Sequence, residues 1–334
     1  MKKILQIMCD VAVTVGCCVG IGFISGKEAQ VFFGNKINAV VFCVVFFAVN
    51  FALREHCRKN GCQNVHALNI SLFNRAAPLF DALVALCSFV CIATVLAGVE
   101  QCLDSILPLG SKLPLYAFAT AVVSSLLLNG GMSALKIVNI VAVAMAIVLI
   151  ALLFATKSDT YAENLQVPLY QPVVYALFSL TMSLGVVTKL GEQSSRADNL
   201  IATALSSIIL TVLMLLVLPS GNFNSQMPLI DGITNKYLLG FAVITMLLSA
   251  VTGLVANALP IEQYLYGVIG DKTLCSAVTF GFALAFSIFG FDFAVKVGYA
   301  LVSLMGAVVV VLSLIKTIIS AKRDNVDTAH APLR

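Results

Sequence analysis

Charge is what this chain has least of. Only 11% of its 334 residues are Asp, Glu, Lys or Arg, while 60% are hydrophobic. Soluble domains carry about 25% charged residues, so a water-soluble globule is excluded. Long polar stretches are missing too. Apolar segments recur from end to end with short interruptions, which leaves no room for a separate soluble domain. The alternation of a membrane β-strand is absent, and the segments far exceed the ~9–11 residues such a strand needs. The chain therefore reads as an all-α integral membrane protein. Histidine is also scarce: His56, His66 and His330 fall in polar loops or a terminus. No serine, cysteine or metal-binding arrangement points to catalysis, so the protein is not read as an enzyme. The net charge of +4 comes from basic residues scattered at segment ends, which forms no nucleic-acid patch.

Cysteine is plentiful, ten in all, but most lie in apolar segments where Cys behaves as a small hydrophobe. Cys57 and Cys62, near His56 and His66, match no common zinc spacing and read as part of a cytoplasmic loop. The N-terminus, Met1-Lys2-Lys3 and an apolar run, resembles a signal peptide in outline. Asp10 interrupts that run and Thr14 is a poor residue before a lipoprotein cysteine, so the segment is read as a first span.

Hydropathy predicts ten spans, at 4–33, 37–53, 78–107, 114–128, 133–155, 169–189, 198–218, 236–266, 274–290 and 294–319. With the N-terminus inside, 14 of the 20 Lys and Arg residues fall on the cytoplasmic side, Arg54, Lys136, Lys189 and Arg196 among them. The opposite orientation would violate the positive-inside rule. Both termini are then expected in the cytoplasm, in a bacterial inner membrane.

The chain divides into a first repeat, 1–155, a second, 169–319, and a cytoplasmic tail, 320–334. The third span of each half is unusually long. Five spans per half force the second half to insert upside down. That is the arithmetic of an inverted repeat, in which broken helices at matching positions carry the binding site.

The decisive stretch is Gly16-Cys-Cys-Val-Gly-Ile-Gly-Phe-Ile-Ser-Gly-Lys-Glu28. Four glycines weaken the helix, and two adjacent charges raise the cost of burying it in lipid. A break inside hydrocarbon is tolerated only where it lines a protein cavity. The matching sixth span holds Phe178-Ser-Leu-Thr-Met-Ser-Leu-Gly185, with a break expected around 179–185. The Met227-Pro-Leu-Ile-Asp-Gly232 core of the loop after span 7 reads either as a lid or as a plain solvated loop. Ser249 and Thr252 share a face of the eighth span, three residues apart.

The run Val15 to Phe33 resembles the first-span signature of the YkvI-like bacterial membrane proteins, roughly Gly-Ala-Gly-Phe-Ala-Ser-Gly-Gln-Glu followed by Phe-Phe. Lys27 stands where that pattern has Gln. The group is placed in the amino acid–polyamine–organocation superfamily, whose members share the LeuT-type fold with helices 1 and 6 broken. LeuT-like carriers read Gly-x-x-Val-Gly-Leu-Gly-Asn at this turn, and Gly16 to Phe23 is similar in spacing. The resemblance implies that the carbonyls of Gly16 and Val19, with the hydroxyls of Ser249 and Thr252, hold a sodium ion. It implies a substrate carboxylate on the amides of Ile21 and Gly22. Gly20, Ser25, Phe178, Ser179, Thr181 and Ser183 would complete the substrate pocket. Phe23 in place of Asn argues against a second ion.

Asp10, Lys27 and Glu28 are read as gating groups. Asp10 is expected to pair with Lys189 or Arg196, and Lys27 with Glu28 to form an exposed pair at a vestibule. Glu100 and Asp104 are expected to be solvated.

The expectation is a secondary active transporter of a neutral amino acid or related zwitterion, coupled to sodium. Its partners are the bilayer and a small solute, with no cofactor beyond the ion. Proton coupling through Glu28 is the alternative. A channel would show polar lining through several spans, and a sensor on the same fold would carry a docking element.

Overall fold

The computed structural model describes residues 2–108, 113–156, 166–220, 227–231 and 233–288, and individual positions between 302 and 319. The described residues form helices and connecting turns. The first span is three pieces: α1 (Lys2–Cys18), α2 (Ile21–Ile24) and α3 (Lys27–Phe32). Then follow α4 (Lys36–Asn60), α5 (Val65–Phe73), α6 (Ala77–Ile106), α7 (Leu115–Asn129) and α8 (Gly131–Thr156). The second half supplies α9 (Tyr170–Gln193), α10 (Arg196–Val217), α11 (Lys236–Ile269) and α12 (Lys272–Ser287).

Helix starts follow from local chemistry. Asn35, Asn64, Ser195, Asn235 and Asp271 each accept a backbone N–H of the first turn of α4, α5, α10, α11 and α12. Among the described residues, six helical segments are long and apolar enough to cross a membrane. They are α4, the run Val65–Ile106, α8, α9, the run Arg196–Ser220 and α11. α7, α12 and an apolar helix at Gly306–Lys316 are shorter. The end of the ninth span from 289, the start of the tenth as far as 301, and the tail lie outside the described residues.

Burial separates centre from rim. In its most apolar window, 78% of α9 is buried, against 39% of α4 and of α8. α9 runs along α4, and the long α6 and α11 pack on each other. α1 lies among α8, α9, α10 and α11. Outward-facing Val40, Val44, Ile137 and Val148 are exposed, as lipid contact requires.

Two expectations need correction here. The sixth span is not broken: α9 is one continuous helix from Tyr170 to Gln193. Its hydroxyls bond back to their own helix, Ser179 to the Tyr175 carbonyl and Thr181 to that of Leu177, both at 2.8 Å. Self-satisfied side chains leave the ladder intact. The loop before α11 is not plainly solvated either: Met227, Leu229 and Ile230 are buried. The Leu229 amide donates to the Ser25 carbonyl at 2.9 Å, so the turn is fastened to the first span.

Candidate binding site at the interrupted first span

The first span breaks twice, not once. α1 ends at Cys18, and Gly20 is extended, with φ −89° and ψ −170°. A single turn, α2, follows, and Gly26 at φ 82° then redirects the chain into α3. That left-handed conformation favours glycine. The Ser25 hydroxyl closes the second break by donating to the Gly22 carbonyl at 3.1 Å and accepting from the Lys27 amide at 3.4 Å.

At the first break the helix releases its last carbonyls. The Val19 amide still reaches the Val15 carbonyl at 2.8 Å. The Gly16 carbonyl instead accepts from Thr252 Oγ1 of α11 at 3.4 Å, a hydroxyl that also lies 3.0 Å from the Ser249 carbonyl. The structure thus brings Thr252 to Gly16, with Ser249 entering through its backbone carbonyl one turn back on α11. It adds a group the sequence reading missed, Asn139 of α8. A Cβ on Gly16 would lie 1.9 Å from Asn139 Oδ1, so only glycine admits this approach. Asn139 Nδ2 donates to the Leu135 carbonyl at 3.0 Å, which aims Oδ1 toward the break. That oxygen is buried without a hydrogen-bond partner. Carbonyl, hydroxyl and amide oxygens with no sulfur or nitrogen suit a hard cation. The signal for Asn139 was available, as a lone amide in an otherwise apolar stretch of the fifth span.

The second break is governed by Glu28. It is 4% exposed, and Tyr175 Oη of α9 donates to its Oε2 at 2.5 Å. This corrects the expected exposed pair: Lys27 is half-buried, while Glu28 turns inward to the sixth span. A Cβ on Gly22 would lie 2.4 Å from Glu28 Oε1, so the missing side chain makes room for the carboxylate. The Tyr175 ring packs with Phe32, Phe33, Phe42 and Phe178 at centroid distances of 5.1, 5.3, 5.5 and 6.1 Å.

The amides of Ile21 and Gly22, where a substrate carboxylate was expected, belong to the short helix α2. α2 has four residues, too few to build a macrodipole. Ser179 and Ser183 lie on the α9 face toward α1, with Cys18 Sγ 4.0 Å from the Ser179 carbonyl. Ser183 Oγ donates to the Ser179 and Leu180 carbonyls at 2.9 and 3.2 Å. Thr181 faces elsewhere: a Cβ on Gly306 of the tenth span would lie 2.0 Å from its Oγ1. Residues two apart on a helix point to different sides, so Thr181 is not brought to the break.

A polar cluster lies along the middle of α1. Asp10 is 4% exposed, with Lys136 Nζ at 3.5 Å from Oδ1 and Ser194 Oγ donating to Oδ2 at 3.3 Å. Its ion-pair partner is therefore Lys136 of the fifth span, in place of the expected Lys189 or Arg196. Arg54, expected in the cytoplasm, is fully buried, donating to Thr14 Oγ1 at 2.5 Å and Asn50 Oδ1 at 3.1 Å. A buried guanidinium keeps its charge and must be solvated by protein oxygens. Glu100 Oε2 accepts from the Ala117 amide at 2.7 Å and caps α7, while Asp104 is exposed.

The α4–α5 corner has partners of its own. His56 Nε2 lies 2.8 Å from Ser71 Oγ, and His66 Nδ1 lies 2.6 Å from Asp81 Oδ2. Hydrogen bonds with Cys57 first, and Ser71 second, hold the Cys62 thiol down at about 7.

Similarity to known proteins bears on the architecture. Among solved structures, the chain is similar to Mhp1, a nucleobase-cation-symport-1 family transporter in a closed conformation with bromovinylhydantoin bound. The match has a TM-score of 0.62 at 14% identity and covers 90% of this chain and 76% of that one. The fold is of the LeuT type. No family model and no curated protein matches the sequence. The resemblance to the YkvI-like group thus rests on the first-span residues alone. In LeuT-type terms, the ion-site candidates gather where spans 1, 5 and 8 meet, and Glu28 joins span 1 to span 6.

Proposed function

We propose that the protein is a secondary active transporter that moves a small nitrogen-bearing solute by alternating access. The solute passes between the interrupted first span and the sixth. A sodium ion held by Gly16, Val19, Ser249 and Thr252, with Asn139 as a further oxygen donor, couples the gradient to movement. One observation carries the reading: Gly16 has the Thr252 hydroxyl at its freed carbonyl and the buried, partnerless Asn139 oxygen against its Cα. Amino acids are the solutes implied by the first-span resemblance.

The test is thermal unfolding of the purified protein with sodium against choline. Sodium is expected to raise the midpoint, and Thr252→Ala and Asn139→Leu each to weaken the apparent sodium affinity by roughly tenfold. An equal midpoint in both salts removes the sodium site.

Proton coupling is the second reading, favoured by a carboxylate buried beside Tyr175. Uptake into proteoliposomes driven by pH without sodium, and lost in Glu28→Gln, would establish it instead.

A further inference from the structure

We propose that Glu28, held by Tyr175 beside the second break, binds the protonated amine of the transported solute. The inference rests on the transporter reading and names its substrate class: small organic amines, with amino acids held by their ammonium group.

Burying a carboxylate is costly unless charge or hydrogen bonds replace the lost water. Glu28 is nevertheless 4% exposed in the middle of an interrupted span. It is fixed from both sides of the expected pathway. Oε2 accepts from Tyr175 of the sixth span, and Oε1 lies against Gly22 of the first. The segment that carries it packs between two other helices, α2 against α6 and α3 against α9.

The group that holds the carboxylate is itself aromatic. Phe32, Phe33, Phe42 and Phe178 pack around the Tyr175 ring whose hydroxyl holds Glu28. A carboxylate beside aromatic faces is the chemistry that receives an organic cation. The same carboxylate repels a second one. The four-residue α2 supplies no macrodipole to offset that repulsion. An amino acid would therefore enter with its ammonium toward Glu28 and its carboxylate away.

Thermal unfolding with leucinamide, N-acetylleucine and hydantoin as probes decides the matter. Leucinamide keeps the amine and masks the acid, N-acetylleucine does the reverse, and hydantoin offers neutral N–H donors. Leucinamide is expected to raise the midpoint and N-acetylleucine to leave it unchanged. Glu28→Gln, which keeps the shape and an acceptor for Tyr175, is expected to weaken leucinamide binding at least roughly tenfold. Tyr175→Phe keeps the charge and is expected to weaken it by about two- to tenfold. The unliganded midpoint of each variant reports folding, and Tyr175→Phe carries the test if Glu28→Gln does not fold.

Stabilisation by N-acetylleucine or hydantoin but not leucinamide overturns the proposal, as does leucinamide binding that Glu28→Gln leaves within twofold of wild type. A Glu28 that only carries protons gives that second result. Solute exchange in proteoliposomes separates the two readings. Exchange of a non-amine solute unaffected by Glu28→Gln ends the amine proposal and keeps the transporter. Glu28-dependent leucinamide binding without exchange of any solute keeps the amine site and ends the transporter.

Discussion

Spans 1 and 6 have similar compositions and opposite outcomes. Each carries glycine and small polar residues at mid-span, yet the first breaks twice and the sixth runs unbroken for 24 residues. The difference lies in where the polar groups find partners. In α9, Ser179, Thr181, Ser183 and Thr188 all donate to carbonyls of their own helix. In the first span, glycines offer no such bond, and outside groups take up the freed backbone: Thr252 at Gly16 and the Leu229 amide at Ser25. A helix in a membrane is broken only where something else replaces its ladder.

Three substitutions sharpen that contrast. Eight of the ten free cysteines are buried, so a thiol-reactive dye reads unfolding directly. The largest effect is expected from Gly22→Val, whose side chain must displace the Glu28 carboxylate from its place against the backbone. A loss of about 2–4 kcal/mol of stability is expected, together with loss of amine-dependent stabilisation. Gly26→Ala should come next, costing about 1–2 kcal/mol for the left-handed backbone, with Leu229 Cγ 3.0 Å from the new Cβ adding to it. Smallest is Ser183→Ala in the sixth span, expected to shift stability by no more than about 0.5 kcal/mol, because its hydroxyl donates to carbonyls of its own helix. If Ser183→Ala unfolds the protein as Gly22→Val does, the contrast between the spans fails.

Much of the fold was legible in the residues. Low charge and long apolar runs gave a helical membrane protein, and the glycine spacing marked a break within Gly16 to Phe23, where the chain leaves the helix at Gly20. Thr252 was legible as a group that reaches Gly16 from the eighth span. The missed parts all depend on contacts across the chain. Asn139 enters through α8, Lys136 reaches Asp10 from the same helix, and Tyr175 reaches Glu28 across 147 residues. The sixth-span break was wrongly expected because Ser and Thr look alike in sequence whether they bond to a ligand or to the turn behind them.

Local chemistry determined the first span by itself: glycines at 16, 20, 22 and 26 beside Lys27 and Glu28 cannot make a plain lipid-spanning helix. Tertiary structure alone decided which way the charges turned. Glu28 faces inward because Gly22 leaves room for it and Tyr175 supplies a hydrogen bond, while Lys27 stays half-exposed. A sequence states that a charge is present in the membrane. Only packing states which neighbours make its burial tolerable, because the cost of an ion in a low-dielectric interior is set by the groups within a few ångströms of it.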